Sequence, residues 1–399
     1  QDFLLYIIKE FLIIQKLMKN KSIIIICGDP ESTFNEILIK TLKNQVSNNI
    51  KFPIVVICSK NLFQNDVKHI RDRRMSEPST NREKVEAKRD SIDKQTQNRE
   101  TNRVIEELNR KMPQYDNIGL YPPTKRLVAI GDVHGDLKVT LIVLKLAEVI
   151  SKDVFPSNFN INTIKWTGGN TWIVQTGDQI DRCRPDNWNN DCIEDLDDVE
   201  EDEGNNMTII KLLLRLDDEA SKCGGRVLGL LGNHEIMNCV GDFRYVSPKE
   251  FEEFGEYFKV KKVRSATRIF PYGYKERKQA FFPGGLIAKK FAQKRKSIVQ
   301  VGNWVFVHGG ITPVCASKYS LDEMNEGIRN WLLGKRDLKT KEVFDNIYED
   351  DDDGIFWTRE FGDLGNWDEN KSCKLFNKTL DILNKKNDRT LDNAIEGMV

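Results

Sequence analysis

Short apolar runs alternate with stretches of helical periodicity along most of the chain. The apolar runs lie at residues 126–130, 171–176, 226–231 and 297–308. The helical stretches between them lie at residues 137–151, 207–222 and 248–260. Strands that alternate with helices predict an α/β fold, in which ligands bind beyond the carboxyl ends of the strands. Each apolar run ends in a polar motif that contains glycine, so we expect the four motifs to converge.

The first 69 residues repeat this pattern on a smaller scale. Apolar runs at residues 22–27 and 53–58 flank a helical stretch at residues 33–44, which predicts a βαβ unit. The turn after the first run lacks the Gly-Lys-Ser/Thr of a phosphate-binding loop. Residues 1–69 are therefore predicted to form a small N-terminal α/β segment, to which the sequence assigns no role.

Residues 70–112 have a different composition. They are dense in charged and polar side chains, and large apolar residues are almost absent before residue 104. Such a segment buries too little apolar surface to offset its ordering entropy, which predicts a disordered linker or a solvated helix. Residues 113–399 then form the remaining unit, which carries all four motifs.

Charge and hydropathy exclude several classes of partner. The 399 residues contain 61 basic and 61 acidic side chains, so no global charge steers the chain toward nucleic acid or anionic membrane. The most apolar N-terminal run, residues 3–18, is interrupted by Lys9, Glu10 and Lys16 and is shorter than the ~20 residues of a membrane span. We predict no nucleic-acid and no membrane partner. The acidic run at residues 191–203 is interpreted as a solvated insertion rather than a cation site.

The eight cysteines form no Cys-x-x-Cys pair, which argues against a structural zinc site. A chain of this length also has no need of a disulfide framework. We predict reduced thiols in an intracellular, cytoplasmic protein.

The first two motifs combine carboxylates with an imidazole and a guanidinium. Asp132 and His134 lie two positions apart on a turn flanked by glycines and can chelate one divalent metal. In the second motif, Asp178 follows a strand and can bridge two metals. Asp181 can orient a catalytic imidazole, and Arg182 offers a fork for phosphate oxygens, although a surface ion pair is its simpler interpretation.

The third and fourth motifs add further ligands. Asn233 offers a neutral amide oxygen to a hard cation, and the adjacent His234 can donate a proton. His308 begins a His-Gly-Gly sequence directly after an apolar run and offers another imidazole. Each motif alone is weak, but four in order, each after a predicted strand, favour a shared metal site.

These motifs resemble the calcineurin-like metallophosphoesterase superfamily, and within it the phosphoprotein phosphatase family. Residues 237–238, 241–246 and 354–359 are similar to the Shewanella-like phosphatase branch of that family. The resemblance covers roughly residues 124–399. It implies an α/β (α+β) fold, a four-layer αββα sandwich of two mixed β-sheets flanked by helices.

The resemblance also implies a role for each motif residue. Asp132, His134 and Asp178 hold one metal, while Asp178, Asn233 and His308 hold the other. A second set of residues acts on the substrate. In it His234 is the general acid, Asp181 is its partner, and Arg182 and Arg359 clamp the phosphoryl oxygens.

Two departures from the family pattern stand out. Cys183 replaces the usual glycine after Asp-Arg, at a position that touches no ligand. The family also supplies a later histidine to the second metal, and no histidine follows His308. The apolar run that ends at Val399 is similar to the one that leads into Gly-His-Thr in the Shewanella-like branch. We expect the missing ligand beyond Val399, so that this chain alone lacks activity; a pseudo-phosphatase that has lost the ligand is the alternative.

The expected function is hydrolysis of phosphate monoesters by a metal-bridging hydroxide, with His234 as general acid and without a phosphoenzyme. A phosphorylated protein is the expected substrate, and two divalent ions of Mn, Fe or Zn are the expected cofactors. The alternatives are a small-molecule phosphoesterase of the dinucleoside polyphosphate hydrolase type and a non-catalytic module that binds phosphoproteins. A role centred on the N-terminal segment is a third. Oligomeric state and the choice between phosphoserine/threonine and phosphotyrosine stay open.

Overall fold

The structure is a computed structural model. It describes residues 119–155, 160–183, 202–261, 270–349, 353–361, 369–390 and 393–399, two strand backbones nearer the N-terminus, and the single residues Asp116, Ser157 and Cys192. The predicted linker at residues 70–112, the helical stretch at residues 33–44 and the apolar run at residues 3–18 lie outside the described residues. So does most of the acidic run.

The described strands are β1 (Ile23–Cys27), β2 (Ile54–Cys58), β3 (Leu120–Tyr121), β4 (Leu127–Ile130), β5 (Trp172–Gln175), β6 (Arg226–Gly229), β7 (Ile298–Val301), β8 (Trp304–Val307) and β9 (Gly397–Met398). They form two sheets. The first has the order β2-β1-β4-β5-β6, and each of its described pairs is parallel. The second has the order β3-β7-β8-β9 and mixes parallel pairs with the antiparallel pair of β7 and β8.

The described helices are α1 (Leu137–Leu146), α2 (Asn206–Ser221), α3 (Asn233–Val240), α4 (Pro248–Tyr257), α5 (Tyr274–Phe281), α6 (Leu286–Lys294), α7 (Pro313–Lys318), α8 (Leu321–Leu332), α9 (Leu338–Phe344) and α10 (Glu369–Lys386). A π-helical turn, Asp345–Glu349, follows α9. Across the described residues, no helix combines the length and apolar content that crossing a bilayer requires.

Strands β4, β5 and β6 of the first sheet are covered on both faces. Leu127 and Ala129 of β4 join an apolar cluster between the two sheets, whereas Val128 and Ile130 pack with α1 and α2 on the opposite face. Because strand side chains alternate between faces, a strand covered on both sides has mostly apolar side chains at successive positions, as the four residues of β4 do. This is why the strands were visible without a period-two pattern.

The second sheet repeats the arrangement. Phe306 of β8 points into the cluster between the sheets, and its neighbours Val305 and Val307 belong to the larger cluster on the outer face, which contains residues of helices α5 to α10. Helix, sheet, sheet and helix therefore follow one another, which confirms the predicted four-layer sandwich.

Helix α8 illustrates how local sequence sets the element. The Ser320 hydroxyl accepts a hydrogen bond from Glu323 N, and the Glu323 carboxylate accepts one from Ser320 N, a capping box that satisfies two donors at the helix start. Leu321, Met324 and Ile328 then fall on one buried face at helical spacing.

The two N-terminal strands extend the first sheet. β1 lies between β2 and β4, with Ile23 paired to both Ile54 and Leu127. Each strand begins within one residue of its predicted start. The division of the chain at residues 69 and 112 stays a prediction, because the segment between these strands and β3 is largely outside the described residues.

The prediction that all cysteines are reduced thiols is wrong for one pair. Cys183 and Cys192 form a disulfide with a Cα–Cα distance of 6.4 Å, and both are buried. Cys183 N donates to the carbonyl of Tyr245, and Cys192 N donates to that of Arg244, both at 3.1 Å. Two consecutive carbonyls of one segment thus align the cysteines, a pairing that their spacing in the sequence does not reveal.

Candidate active site

The loop after β4 carries Asp132 and His134 and is locked to the loop after β5. The backbone N–H groups of Val133 and His134 both donate to the carbonyl of Asp178, at 3.0 and 2.9 Å. His134 adopts a positive φ of 42°, which is uncommon for a residue with a side chain. The interlocked backbones hold that conformation and turn both ligand candidates toward the second loop.

The loop after β5 is held in an unusual conformation by a glycine and a buried carboxylate. Gly177 has φ 110°, and a Cβ there would lie 2.4 Å from Gly232 N, so only glycine fits this close approach. The Glu235 carboxylate accepts hydrogen bonds from the N–H groups of Asp178, Gln179 and Gly232 at 2.7–2.9 Å. One side chain thus joins the second and third loops. No role was predicted for Glu235 from the sequence.

Asp178 is the centre of the cluster. Its Oδ2 atom lies 3.3 Å from His308 Nε2, 3.8 Å from His234 Nε2 and 3.9 Å from His134 Nε2. The carboxylate is 3% exposed, and its other oxygen accepts from His234 N at 2.9 Å. A buried carboxylate ringed by three imidazoles from three different loops can serve two cations at once.

His308 brings the second sheet to the same point. Its Nε2 lies 2.7 Å from Asn233 Oδ1, and its Nδ1 lies 3.1 Å from the carbonyl of Thr176 and 3.9 Å from Asp132 Oδ1. The structure therefore brings together all five predicted metal ligands: Asp132, His134, Asp178, Asn233 and His308.

The donor set fits divalent cations. Two triads, His134 with Asp178 and His234, and Asp132 with Asp178 and His308, place their ligand atoms within 4.8 Å of one another. Both triads share Asp178, and their mixture of carboxylate oxygen and imidazole nitrogen suits first-row transition metals.

The electrostatics of the cluster point the same way. Burial disfavours a charged imidazole, but the carboxylates of Asp178 and Asp132 outweigh it and raise the pKa of His308 to about 9. Burial likewise opposes ionisation of Asp178, yet the charges of His308 and His234 hold the pKa of Asp178 well below its ordinary value. The cluster is an anionic pocket that stabilises positive charge.

His234 and Asp181 form the predicted pair. His234 Nδ1 lies 2.9 Å from Asp181 Oδ2, and Asp181 is fully buried. The ring faces Asp178 through Nε2, so the two ring nitrogens have different surroundings: one is held by a carboxylate and the other faces the ligand cluster. This is the arrangement expected of an imidazole that exchanges a proton at Nε2.

Behind this pair lies an arginine that the sequence analysis missed. Arg277, from α5, is fully buried and donates from Nη2 to Asp181 Oδ1 at 2.9 Å. It is separated from Asp181 by 96 positions in the sequence and sits in no motif. Only the packing of α5 against α3 and α4 brings it here.

The two predicted phosphate clamps differ in their surroundings. Arg182 N donates to both oxygens of the Glu250 carboxylate at 2.9 and 3.0 Å, and an Arg182 Nη2 lies 3.5 Å from Asp136 Oδ2. It is thereby fixed beside the first loop. Arg359 is exposed and donates to the carbonyl of Trp357 at 2.9 Å. Its segment packs on the fourth loop through Gly309 N, which donates to the carbonyl of Ile355.

Known proteins similar to this chain include two phosphatases. Shewanella-like protein phosphatase 2 of Arabidopsis thaliana is 32% identical over 264 residues, covering 60% of this chain and 59% of the relative. Shewanella-like protein phosphatase 1 of Plasmodium berghei is 27% identical over 274 residues, covering 68% of this chain and 61% of the relative. The chain thus spans about three fifths of the length of these relatives.

A solved structure is also similar. The crystal structure of the cold-active protein-tyrosine phosphatase of a psychrophile, Shewanella sp., superposes with a TM-score of 0.44 at 21% identity, and the match covers 66% of each chain.

The resemblance to the Shewanella-like branch that the motifs indicated is confirmed by the relatives. The pattern of the calcineurin-like phosphoesterases matches residues 125–385. Because that match spans well over half of the 399 residues and includes every strand-end motif, this chain belongs to the calcineurin-like phosphoesterase family.

Proposed function

We propose that the protein hydrolyses phosphate monoesters on phosphorylated proteins. One observation carries the proposal: five candidate ligand side chains from four strand-end loops cluster around the carboxylate of one of them, Asp178, with the His234–Asp181 pair directly beside them. Relatives named as protein phosphatases support the choice of a protein substrate.

Two divalent cations are the proposed cofactors. Asp132, His134 and Asp178 would hold one, and Asp178, Asn233 and His308 the other. When bound, such ions activate water and neutralise charge on the phosphoryl group, and Mn, Fe or Zn suits the donors.

His234 is the proposed general acid. Its Nδ1 is held by Asp181, which orients the ring and leaves Nε2 as the atom that carries a proton toward the substrate. Donating that proton to the leaving alkoxide avoids the release of a strongly basic oxygen, a contribution of roughly 10²–10⁴ in rate.

Arg182 and Arg359 are proposed to bind the phosphoryl oxygens. A guanidinium presents two parallel donors, which match two oxygens of a phosphate. The support for Arg182 is its fixed backbone beside the first loop. The support for Arg359 is the packing of its segment on the loop of His308, with the side chain exposed to solvent.

The test is a substrate panel with the full-length protein after loading with Mn²⁺. We expect release of phosphate from phosphoserine, phosphothreonine or phosphotyrosine peptides. Turnover of dinucleoside polyphosphates instead of peptides would identify a small-molecule phosphoesterase. Tight binding of phosphopeptides without turnover by the metal-loaded, full-length protein would identify a binding module and overturn the proposal.

A further inference from the structure

A buried arginine stands directly behind the His234–Asp181 pair. Arg277 lies in the middle of α5, and its side chain is fully buried at 0% exposure. Burying a guanidinium costs free energy unless its donors are paired, so the groups that accept its hydrogen bonds indicate the role of this arginine.

Two donors of Arg277 act on the carboxylate of Asp181, one directly and one through Asn238. Nη2 donates to Asp181 Oδ1 at 2.9 Å, and Nε donates to Asn238 Oδ1 at 2.8 Å. Asn238 in turn donates from Nδ2 to both oxygens of Asp181, at 3.0 and 2.9 Å. Arg277 thus holds Asp181 directly and also orients the amide that holds it a second time.

The remaining guanidinium contacts tie this point to other elements. Nη1 donates to Asn206 Oδ1 at 2.9 Å, at the start of α2, and to the carbonyl of Glu250 in α4 at 3.3 Å. Three aromatic rings surround the cation at 5.1–5.8 Å from their centroids: Phe251, Phe254 and Phe281. Such packing removes the freedom of the side chain, which a positioning group requires.

Asp181 also has an uncommon backbone conformation, which its surroundings must hold. Its φ is 70°, in the left-handed region that a residue with a side chain rarely adopts. Without donors on both oxygens, the carboxylate could rotate or relax away from His234 Nδ1. A small displacement there turns the imidazole and moves Nε2 away from the ligand cluster.

We propose that Arg277 is a positioning residue for His234, acting through Asp181 and Asn238. The inference rests on the proposed phosphatase function and deepens it. A group that only stabilises the fold slows all substrates alike. A group that aligns the general acid matters most when the leaving oxygen needs a proton.

The experiment compares two aryl phosphates in the full-length, Mn²⁺-loaded protein. The leaving oxygen of phenyl phosphate is basic and requires protonation as it departs. The leaving oxygen of dinitrophenyl phosphate is much less basic and departs without protonation. We expect Arg277→Met to lower kcat on phenyl phosphate by roughly 10- to 100-fold, part of the general-acid contribution, and on dinitrophenyl phosphate by only a few-fold. Arg277→Lys, which keeps the charge but not the fork, should recover part of the lost rate.

Arg226 supplies the matched control. It is likewise buried and paired, with Asp217 at 2.7 Å and Asp116 at 3.1 Å, but on β6 away from the ligand loops. Arg226→Met should change both substrates by the same factor. Should Arg277→Met fail to fold, Asn238→Leu removes the second support of Asp181 and carries the same expectation.

The outcomes separate the two levels of the proposal. Equal losses on both substrates in the Arg277 and Asn238 variants, or no loss in either, would overturn the positioning role while leaving phosphatase activity standing. A wild-type protein that hydrolyses neither ester, nor a phosphopeptide, would instead overturn the proposed function. Metal content of each variant, measured by elemental analysis, should equal that of the wild type; parallel loss of metal and rate counts against the positioning role.

Discussion

The ligand loops and the network behind them are built in opposite ways. Asp132 and His134 lie two positions apart, and Asn233 and His234 are adjacent, so pairs of functional groups come from single turns. The support network joins Asp181, Asn238 and Arg277 across 96 positions of sequence. Metal ligation needs several donors within a few ångströms, which short motifs at strand ends provide. Orientation needs contacts from all sides, which only distant elements supply.

The largest effect should come from the centre of the ligand cluster. Asp178→Asn replaces the shared carboxylate with a neutral amide, and we expect it to abolish phosphatase turnover and metal binding. The loss should exceed the roughly 10–100-fold that removal of a supporting group costs. Turnover and metal content of the full-length protein check this, with the exposed Asp153→Asn as control. Retained circular dichroism would show that the fold is intact.

Substitutions of His234 and His134 should separate the loss of catalysis from the loss of bound metal. His234→Ala is expected to lower kcat by roughly 10²–10⁴-fold because the leaving group loses its acid, while bound metal stays near the wild-type level. His134→Ala, which removes a proposed ligand, should lose metal as well as activity. Elemental analysis and steady-state kinetics on the same samples distinguish the two. Near-parental activity of His234→Ala would remove His234 from the mechanism.

Substitution of Glu235 tests the contact between the loops after β5 and β6. Glu235→Gln replaces an oxygen that accepts backbone N–H groups with an amide nitrogen that cannot, so a buried donor loses its partner. We expect a loss of about 1–3 kcal/mol in the free energy of unfolding, measured by urea denaturation of the metal-free protein. Glu256→Gln, at an exposed position on α4, should change it little. An unchanged stability in Glu235→Gln would show that the loops hold each other without this carboxylate.

The smallest expected effect is at Glu253 and concerns the pH dependence of the free energy of unfolding. Its carboxylate accepts from Met207 N at 2.8 Å, and burial raises its pKa from 4.5 to about 8. A raised carboxyl pKa means that the folded protein keeps a proton that the unfolded chain releases. The proton on Glu253 therefore contributes fully to the stability of the folded protein below pH 4.5, and this contribution is lost as pH rises toward 8.

Glu253→Gln should remove this dependence. We expect the variant to gain about 1–2 kcal/mol over wild type between pH 5 and 8, a fraction of the full linkage value. Thermal or urea unfolding at several pH values measures it, with Glu256→Gln again as the control on the same helix. Parallel stability curves for wild type and Glu253→Gln would contradict the raised pKa.

The predictions from sequence succeeded for local features and failed for contacts between distant residues. The strands were located because they are mostly apolar, as at Leu127–Ile130, where burial on both faces leaves an unbroken apolar run. The five proposed metal ligands lie close together because each belongs to a loop that directly follows such a strand. The Cys183–Cys192 disulfide was missed, since its geometry depends on the carbonyls of Arg244 and Tyr245. Arg277 was missed because nothing near it in the sequence marks it.

What this sequence determined by itself is the chemistry: which side chains end the strands, and hence which donors are available for metal and proton transfer. Hydrophobic periodicity and motif spacing are local properties, so they can be derived from one sequence. Only the tertiary structure decided that α5 delivers a guanidinium to the back of Asp181 and that Glu235 joins two loops. Those contacts arise from the packing of helices on sheets, where residues far apart in the chain become neighbours, and no local pattern records them.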